Sequence, residues 1–395
     1  MITSRLDRLR ALLSSGELSA QEVDCLLISG PPNIRYLTGF TGSNALLLLE
    51  PDSTTLYTDG RYTTQAEEEV GRAGLRVRIR IPKKGIWQTA LECLKKGRDK
   101  AGRRKGKAGF DSNVSYALYQ KIHEVLGEKH LQPVSGLVER LRMVKDEAEI
   151  DAIRASAELN SRVLTEVLKL VRVGVTERDL AAEIDYRMRQ MGGSGPAFET
   201  IVASGVRSAL PHAHPTSREI GCCEFLLFDH GTMLNGYCSD MTRTVWVGGS
   251  MGCEPGRKAR ELYATVLEAH QQAKEAIRAG VSSSAVDRVA RRPIAARGWG
   301  KYFSHSTGHG VGLEIHEAPR LAARVAAKVT DKRGDKNRDK VNDKLPAGAV
   351  VTIEPGVYFP GFGGVRIEDM VVVREKGCEV LTPSTPSYRE LLEIP

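Results

Sequence analysis

Carboxylates stand at the ends of apolar, strand-like runs through the C-terminal part of this 395-residue chain, and that placement constrains its fold most. Phe225-Leu-Leu-Phe runs into Asp229, and Asp240 follows eleven residues on, ahead of the alternating run Met241-Thr-Arg-Thr-Val-Trp. Val350-Val-Thr-Ile leads into Glu354, and Gly364-Val-Arg-Ile leads into Glu368. An acid at the end of a buried strand needs a cation or several donors, because an isolated buried carboxylate is costly. His309 sits in the glycine-rich stretch Thr307-Gly-His-Gly-Val-Gly, where glycines let backbone come close to a metal. Four carboxylates and one imidazole form an oxygen-rich set suited to a pair of divalent cations (Mn²⁺, Co²⁺, Fe²⁺ or Zn²⁺), not to a thiolate-bound structural zinc. Two close cations sharing carboxylates make hydroxide at neutral pH and polarise a carbonyl, so the set reads as a dinuclear metallohydrolase.

Each acid has a plainer reading alone. A single Asp is a turn or cap residue, and Arg366 with Glu368, at i and i+2 on one strand face, is a buried ion pair. Their joint occurrence favours ligation, with Arg366 supporting the carboxylates. His305 and His316 flank His309, and His212 and His214 share the turn Pro211-His-Ala-His-Pro; His230 adjoins Asp229. His123, His130 and His270 sit in polar, helix-like contexts and receive no role.

The length predicts two domains. A hydrophobic content of 41% leaves room for a sizeable core, and no apolar run is long enough to span a membrane. The N-terminus lacks the apolar segment of a secretory signal, so a cytoplasmic location is expected. Seven cysteines in irregular spacing, with Cys222 and Cys223 adjacent, predict reduced, mostly buried thiols and no disulfide framework. The net charge of +8 raises a nucleic-acid reading, but the basic stretches 95–107 and 328–344 lack interleaved aromatics and read as solvated loops.

Residues 1–134 read as an α/β unit with strands at Val23–Ser29, Asn44–Glu50, Thr54–Thr58 and Lys107–Asp111, and a helix opening at Asp59. A catalytic domain is expected over 140–395, opened by an amphipathic helix from Glu147. Val171–Leu180 is similar to Ile277–Val286, each a helix end, a glycine and a Thr or Ser N-cap, which suggests a duplicated half. Pro293 predicts a kinked helix, and residues 323–344 predict a charged, mobile insertion.

Several stretches together resemble the creatinase/methionine-aminopeptidase superfamily, peptidase family M24, and within it the Xaa-Pro peptidases. They are Asn33–Asn44, Tyr57–Tyr62, Met143–Ile150, Ile201–Gly205, Ser208–His212, Ser239–Thr244, Gly308–Leu313, Ile353–Gly356 and Val365–Asp369. The resemblance implies an α+β pita-bread catalytic domain behind a creatinase-type N-terminal domain. It implies that Asp229 binds one metal and His309 and Glu354 the other, with Asp240 and Glu368 bridging; Mn²⁺ is the expected ion. Glu354 would also shuttle a proton from the bridging hydroxide, His316 would steady the carbonyl, and His212 would lie near the leaving proline nitrogen. His305, in the proline pocket, and Arg366 would contact substrate. The activity implied is an aminopeptidase cleaving between an N-terminal residue and a following proline, in a homo-oligomer that engages neither nucleic acid nor membrane.

Prolidase, which cleaves only Xaa-Pro dipeptides, uses the same ligands and is the alternative; a catalytically inactive pita-bread binding protein is a second. Methionine aminopeptidase would not need the large N-terminal domain. One departure from the pattern is His230, where relatives carry an aromatic.

Overall fold

The computed structural model describes residues 4–15, 23–99, 106–248, 253–323 and 343–383. The expected charged insertion therefore falls almost wholly outside the described residues, as does much of the first basic stretch. The chain divides into two compact units, Met1–Arg142 and Met143–Pro395. The first unit runs past the expected break at 134 because its last segment is tied back to it. Arg142 Nη1 donates to Asn33 Oδ1 at 2.7 Å, and Tyr36 OH donates to the Leu141 carbonyl at 3.2 Å.

The first unit is a six-stranded mixed sheet in the order β4-β3-β2-β1-β5-β6. Its strands are β1 (Val23–Ile28), β2 (Ala45–Leu49), β3 (Thr54–Thr58), β4 (Arg78–Arg80), β5 (Lys107–Asp111) and β6 (Leu131–Val134). Helices α1 (Arg5–Ser14), α2 (Pro31–Thr38), α3 (Thr63–Arg72), α4 (Ile86–Asp99), α5 (Tyr116–Leu126) and α6 (Leu137–Met143) accompany it. β2 and β3 form the hairpin expected around Pro51, and Asp59 caps a 3₁₀ turn before α3. Leu27, Leu46, Leu48 and Phe110 of the sheet pack with Ala90, Leu91 and Leu94 of α4 in this unit's core.

The second unit repeats one plan twice. α7 (Glu147–Leu168) and α8 (Glu177–Gln190) precede β7 (Gly195–Pro196), β8 (Ile201–Ser204), β9 (Glu224–His230), β10 (Thr232–Leu234), β11 (Tyr237–Cys238) and β12 (Met241–Val247). α9 (Arg257–Ala276) and α10 (Ser283–Ala296) precede β13 (Gly308–Gly310), β14 (Glu317–Leu321), β15 (Val350–Ile353), β16 (Gly356–Phe359), β17 (Gly363–Arg366), β18 (Asp369–Arg374) and β19 (Gly377–Val380). The two similar segments are the α7–α8 and α9–α10 junctions, with Thr176 and Ser282 as N-caps. α7 starts at a capping box, in which Asp146 and Glu149 satisfy each other's backbone donors. α10 continues through Pro293, which removes one helical hydrogen bond without ending the helix.

Each helix pair covers one face of a sheet, and strand alternation puts the acids on the other. Leu226 and Phe228 pack under α7 and α8 with Val163, Val167, Leu180 and Ile184. Burying each such side chain contributes about 1.5–3 kcal/mol. Asp229, next along β9, must then point away from the helices. In the second half, Val351 and Ile353 of β15 and Val371 and Val373 of β18 pack against Leu262, Val266, Val286 and Ala290 of α9 and α10.

One cysteine expectation is corrected. Cys223 and Cys253 form a disulfide, while Cys25, Cys93, Cys222, Cys238 and Cys378 are free. The cause is strand register: β9 and β12 pair with Glu224 opposite Val247, which brings the segments flanking them together.

Candidate metal centre and active-site cavity

All five expected ligands lie at strand ends or in a strand, converging from both halves. Asp229 is near the end of β9, Asp240 immediately precedes β12, His309 is the middle residue of β13, Glu354 follows β15, and Glu368 joins β17 to β18. His309 Nε2 is 3.5 Å from Asp240 Oδ2 and 3.6 Å from Glu354 Oε1. Ligating atoms of Asp240, His309 and Glu368 all fall within 4.8 Å of one another. β13 approaches β15 this closely because Gly308 has no side chain; a Cβ there would collide with the Thr352 carbonyl oxygen. His309 Nδ1 is 3.0 Å from the Gly310 carbonyl, a contact that assigns the proton to Nδ1 and leaves Nε2 with its lone pair toward the acids.

The acids are buried together with too little positive charge to match them. Asp240 and Glu368 are 5% and 2% exposed. Burial, and then the neighbouring carboxylates, push both far above the ordinary carboxylate range. Glu354 is raised to about 7, again chiefly by burial. His309 is lowered to about 4 by burial, so it stands neutral, as a ligand must. Asp229 Oδ1 is buried and has no hydrogen-bond partner among the described residues. Crowded acids, an orphaned carboxylate oxygen and a neutral imidazole together fit divalent cations, whose charge reverses the repulsion that raises these groups.

A ring of donors holds the acids in place. Arg366 Nη2 donates to Asp229 Oδ2 at 2.5 Å, Nη1 to Tyr358 OH at 2.7 Å, and Nε to Thr242 Oγ1 at 3.0 Å. Thr242 Oγ1 donates in turn to Glu368 Oε2 at 2.6 Å. Arg366 Nη1 also donates to the Pro211 carbonyl at 3.3 Å, so most of its donors are held by the protein, including the contact with the expected ligand Asp229. Behind Glu368, Arg243 donates to the carbonyls of Thr242 and Glu368 and to Asp369 Oδ1. His270 Nε2 lies 3.2 Å from the other Asp369 oxygen. Burial alone would raise Asp369, but Arg243 and His270 outweigh it and hold the carboxyl below its usual range.

The centre opens into a cavity of about 650 Å³. His212, His305, His316 and Arg366 line it, with Phe198, His214 and Arg320. His316 stacks edge-on to His309, with ring centroids 4.3 Å apart. His305 Nε2 is 2.8 Å from Tyr358 OH, and its Nδ1 is 3.8 Å from Glu354 Oε2. His230 faces inward to α7 instead, with Nδ1 2.7 Å from Asn160 Oδ1; burial lowers it to about 3. Sequence reasoning missed Thr242, Tyr358, Arg243, Asp369, His270 and Arg320. A charged residue inside the apolar alternation of Met241–Val247 was the one available signal, pointing to Arg243.

Residues 151–375 match the family described as Metallopeptidase family M24, and residues 5–144 match the Creatinase/Prolidase N-terminal domain. The chain belongs to metallopeptidase family M24. The M24 assignment carries with it the pita-bread catalytic domain, a hydrolytic activity on peptides and a requirement for divalent metal. An Xaa-Pro dipeptidase from Pyrococcus horikoshii is 32% identical over 95% of this chain and 96% of its own. The solved Xaa-Pro dipeptidase from Bacillus anthracis is 34% identical, covers 97% of this chain and 98% of its own, and superposes with a TM-score of 0.83. The X-Pro aminopeptidase from Thermotoga maritima MSB8 is 35% identical, covering 92% and 97%, with a TM-score of 0.78. Among the described residues, no helix of this M24 peptidase is long and apolar enough to cross a membrane.

Proposed function

We propose that this M24 peptidase hydrolyses the bond between an N-terminal residue and proline, with Xaa-Pro dipeptides as preferred substrates. Asp229 would hold one divalent ion, His309 and Glu354 the other, and Asp240 and Glu368 both. When bound, the ions supply Lewis-acid activation of water and of the scissile carbonyl. The clustering of Asp240, His309 and Glu368, with Glu354 3.6 Å from His309 and Asp229 lining the same cavity with one carboxylate oxygen left unpaired, carries this reading.

The remaining roles follow from position. Glu354, at the cavity wall, takes the proton of the attacking water on a carboxylate oxygen and passes it to the departing proline nitrogen. His316 donates toward the carbonyl oxygen as charge develops there, and His212, which lines the same cavity, would lie near the leaving nitrogen. His305, braced by Tyr358, forms a wall for the proline ring. Proline has no N–H to pair with a substrate-binding strand, so a shaped pocket must replace that contact. Arg366 acts as a positioning residue that holds Asp229 and Tyr358 at the cavity wall.

Arg320, a cation lining the same cavity, favours dipeptides: it offers a partner for a free carboxylate that directly follows proline. Relatives named as Xaa-Pro dipeptidases support the same choice. The aminopeptidase reading retains the support of the Thermotoga maritima structure. Turnover of Ala-Pro against Ala-Pro-Ala tests the choice. Dipeptide preference that disappears in Arg320→Ala is expected; faster cleavage of the tripeptide by wild type restores the aminopeptidase reading.

A further inference from the structure

A second group of ligating side chains converges at the other end of the β9–β12 hairpin from Asp229 and Asp240. Cys222 and Cys223 precede β9, and Cys253 lies beyond β12. Their sulfurs all lie within 4.8 Å of one another, and Cys222 Sγ is 3.5 Å from Cys223 Sγ. Backbone contacts hold the cluster independently of the disulfide. Cys223 N donates to the Val247 carbonyl at 2.8 Å, Cys253 N to the Gly248 carbonyl at 3.0 Å, and Trp246 Nε1 to the Cys253 carbonyl at 2.9 Å.

Two local features are shaped to this cluster. Cys223 has φ 67°, a left-handed conformation that disfavours any side chain with a Cβ. Such a residue persists only where its surroundings hold it. Gly248 sits among the three cysteines, where an added Cβ would lie 2.8 Å from Cys222 Sγ and 3.2 Å from the Cys253 Cβ. A side chain at this position would crowd Cys222 Sγ and the backbone that carries Cys223.

We propose that Cys222, Cys223 and Cys253 form a second metal site, which binds one thiophilic divalent cation such as Zn²⁺ once the Cys223–Cys253 bond is reduced. A dithiol reductant gives the disulfide two electrons and two protons and is itself oxidised to a cyclic disulfide. The three thiols then release their protons to solvent as the ion binds. Tetrahedral Zn–S bonds of about 2.3 Å set sulfurs roughly 3.8 Å apart, within the span observed. Cys223 is exposed, so the fourth position is open to water. The soft sulfur set is chemically distinct from the acids of the catalytic centre and selects its ion separately.

Cadmium is the probe, because thiolate–cadmium charge transfer absorbs in the ultraviolet and carboxylate or imidazole ligation does not. The full chain, reduced with a dithiol and then freed of reductant, is titrated with Cd²⁺. One equivalent is expected to saturate the band, with at least tenfold weaker binding in Cys222→Ser and in Cys253→Ser. Far-ultraviolet circular dichroism checks that both variants fold. Untreated protein, with its disulfide intact, should show at least tenfold weaker binding than the reduced form. Absence of the band in reduced wild type, or an undiminished band in folded Cys222→Ser, overturns the proposal.

Discussion

Glu177 has no place in the proposed chemistry, yet its removal should disable the enzyme. It is fully buried at the first position of α8, and its carboxylate gathers both ends of the segment 205–215 that carries His212. It accepts from Ser204 N and Oγ, both at 2.8 Å, from Thr216 N at 3.0 Å and Oγ1 at 2.7 Å, and from Arg207 Nε at 3.0 Å. Burial alone would raise its pKa, but the bonds from Thr216 and Ser204 outweigh it and the net shift is downward. Glu177→Gln removes the charge and turns a donor toward donors. Hydrogen bonds to a charged group contribute about 1.5–3 kcal/mol each against about 1 for neutral ones, so weakening two or three should cost roughly 3 kcal/mol. At about 2–4 °C per kcal/mol for a unit of this size, the melting transition should fall by roughly 6–12 °C.

Because the folded-state pKa is depressed, this contribution is fully present above the ordinary carboxylate range and is lost as pH falls through the folded value. The gap between wild type and Glu177→Gln should therefore close in acid. Differential scanning calorimetry from neutral pH downward, with kcat and KM for Ala-Pro, measures both effects. A variant that melts with wild type at neutral pH and retains its kcat would refute the argument.

Other perturbations follow from the same contacts. Arg366→Lys keeps a charge but loses the fork that reaches Asp229 and Tyr358, so metal affinity or kcat should drop about 10–100-fold; metal titration followed by turnover checks this. Gly308→Ala drives a methyl into the Thr352 carbonyl and should lower the melting temperature and distort His309; a variant as stable and active as wild type contradicts the close strand approach. Asp369→Asn weakens the grip of Arg243 behind Glu368 and should reduce kcat more than KM, read from steady-state kinetics.

The five candidate ligands were legible in the chain only jointly, because four carboxylates at apolar, strand-like runs and a histidine in a glycine-rich stretch favour a shared cation site where each acid alone has a plainer reading. The helix junctions at Thr176 and Ser282 were equally legible, since capping chemistry is local. Thr242 and Tyr358 were not, because a hydroxyl in a β-run looks like an ordinary strand residue until another strand brings Arg366 beside it. The Cys223–Cys253 pair depends on the β9–β12 register, across 30 residues, which a count of cysteines does not reveal. Arg320 resisted for a similar reason: an exposed arginine acquires meaning only from the cavity it borders.

Metal analysis of the purified, unreduced enzyme, paired with Ala-Pro turnover before and after chelation, tests the central claim most directly. Two divalent ions per chain, lost together with activity on chelation and restored with it, are predicted, and Asp240→Asn should bind fewer ions and turn over no substrate. Full turnover by protein stripped of metal, or an Asp240→Asn variant with wild-type metal content and rate, would contradict the account.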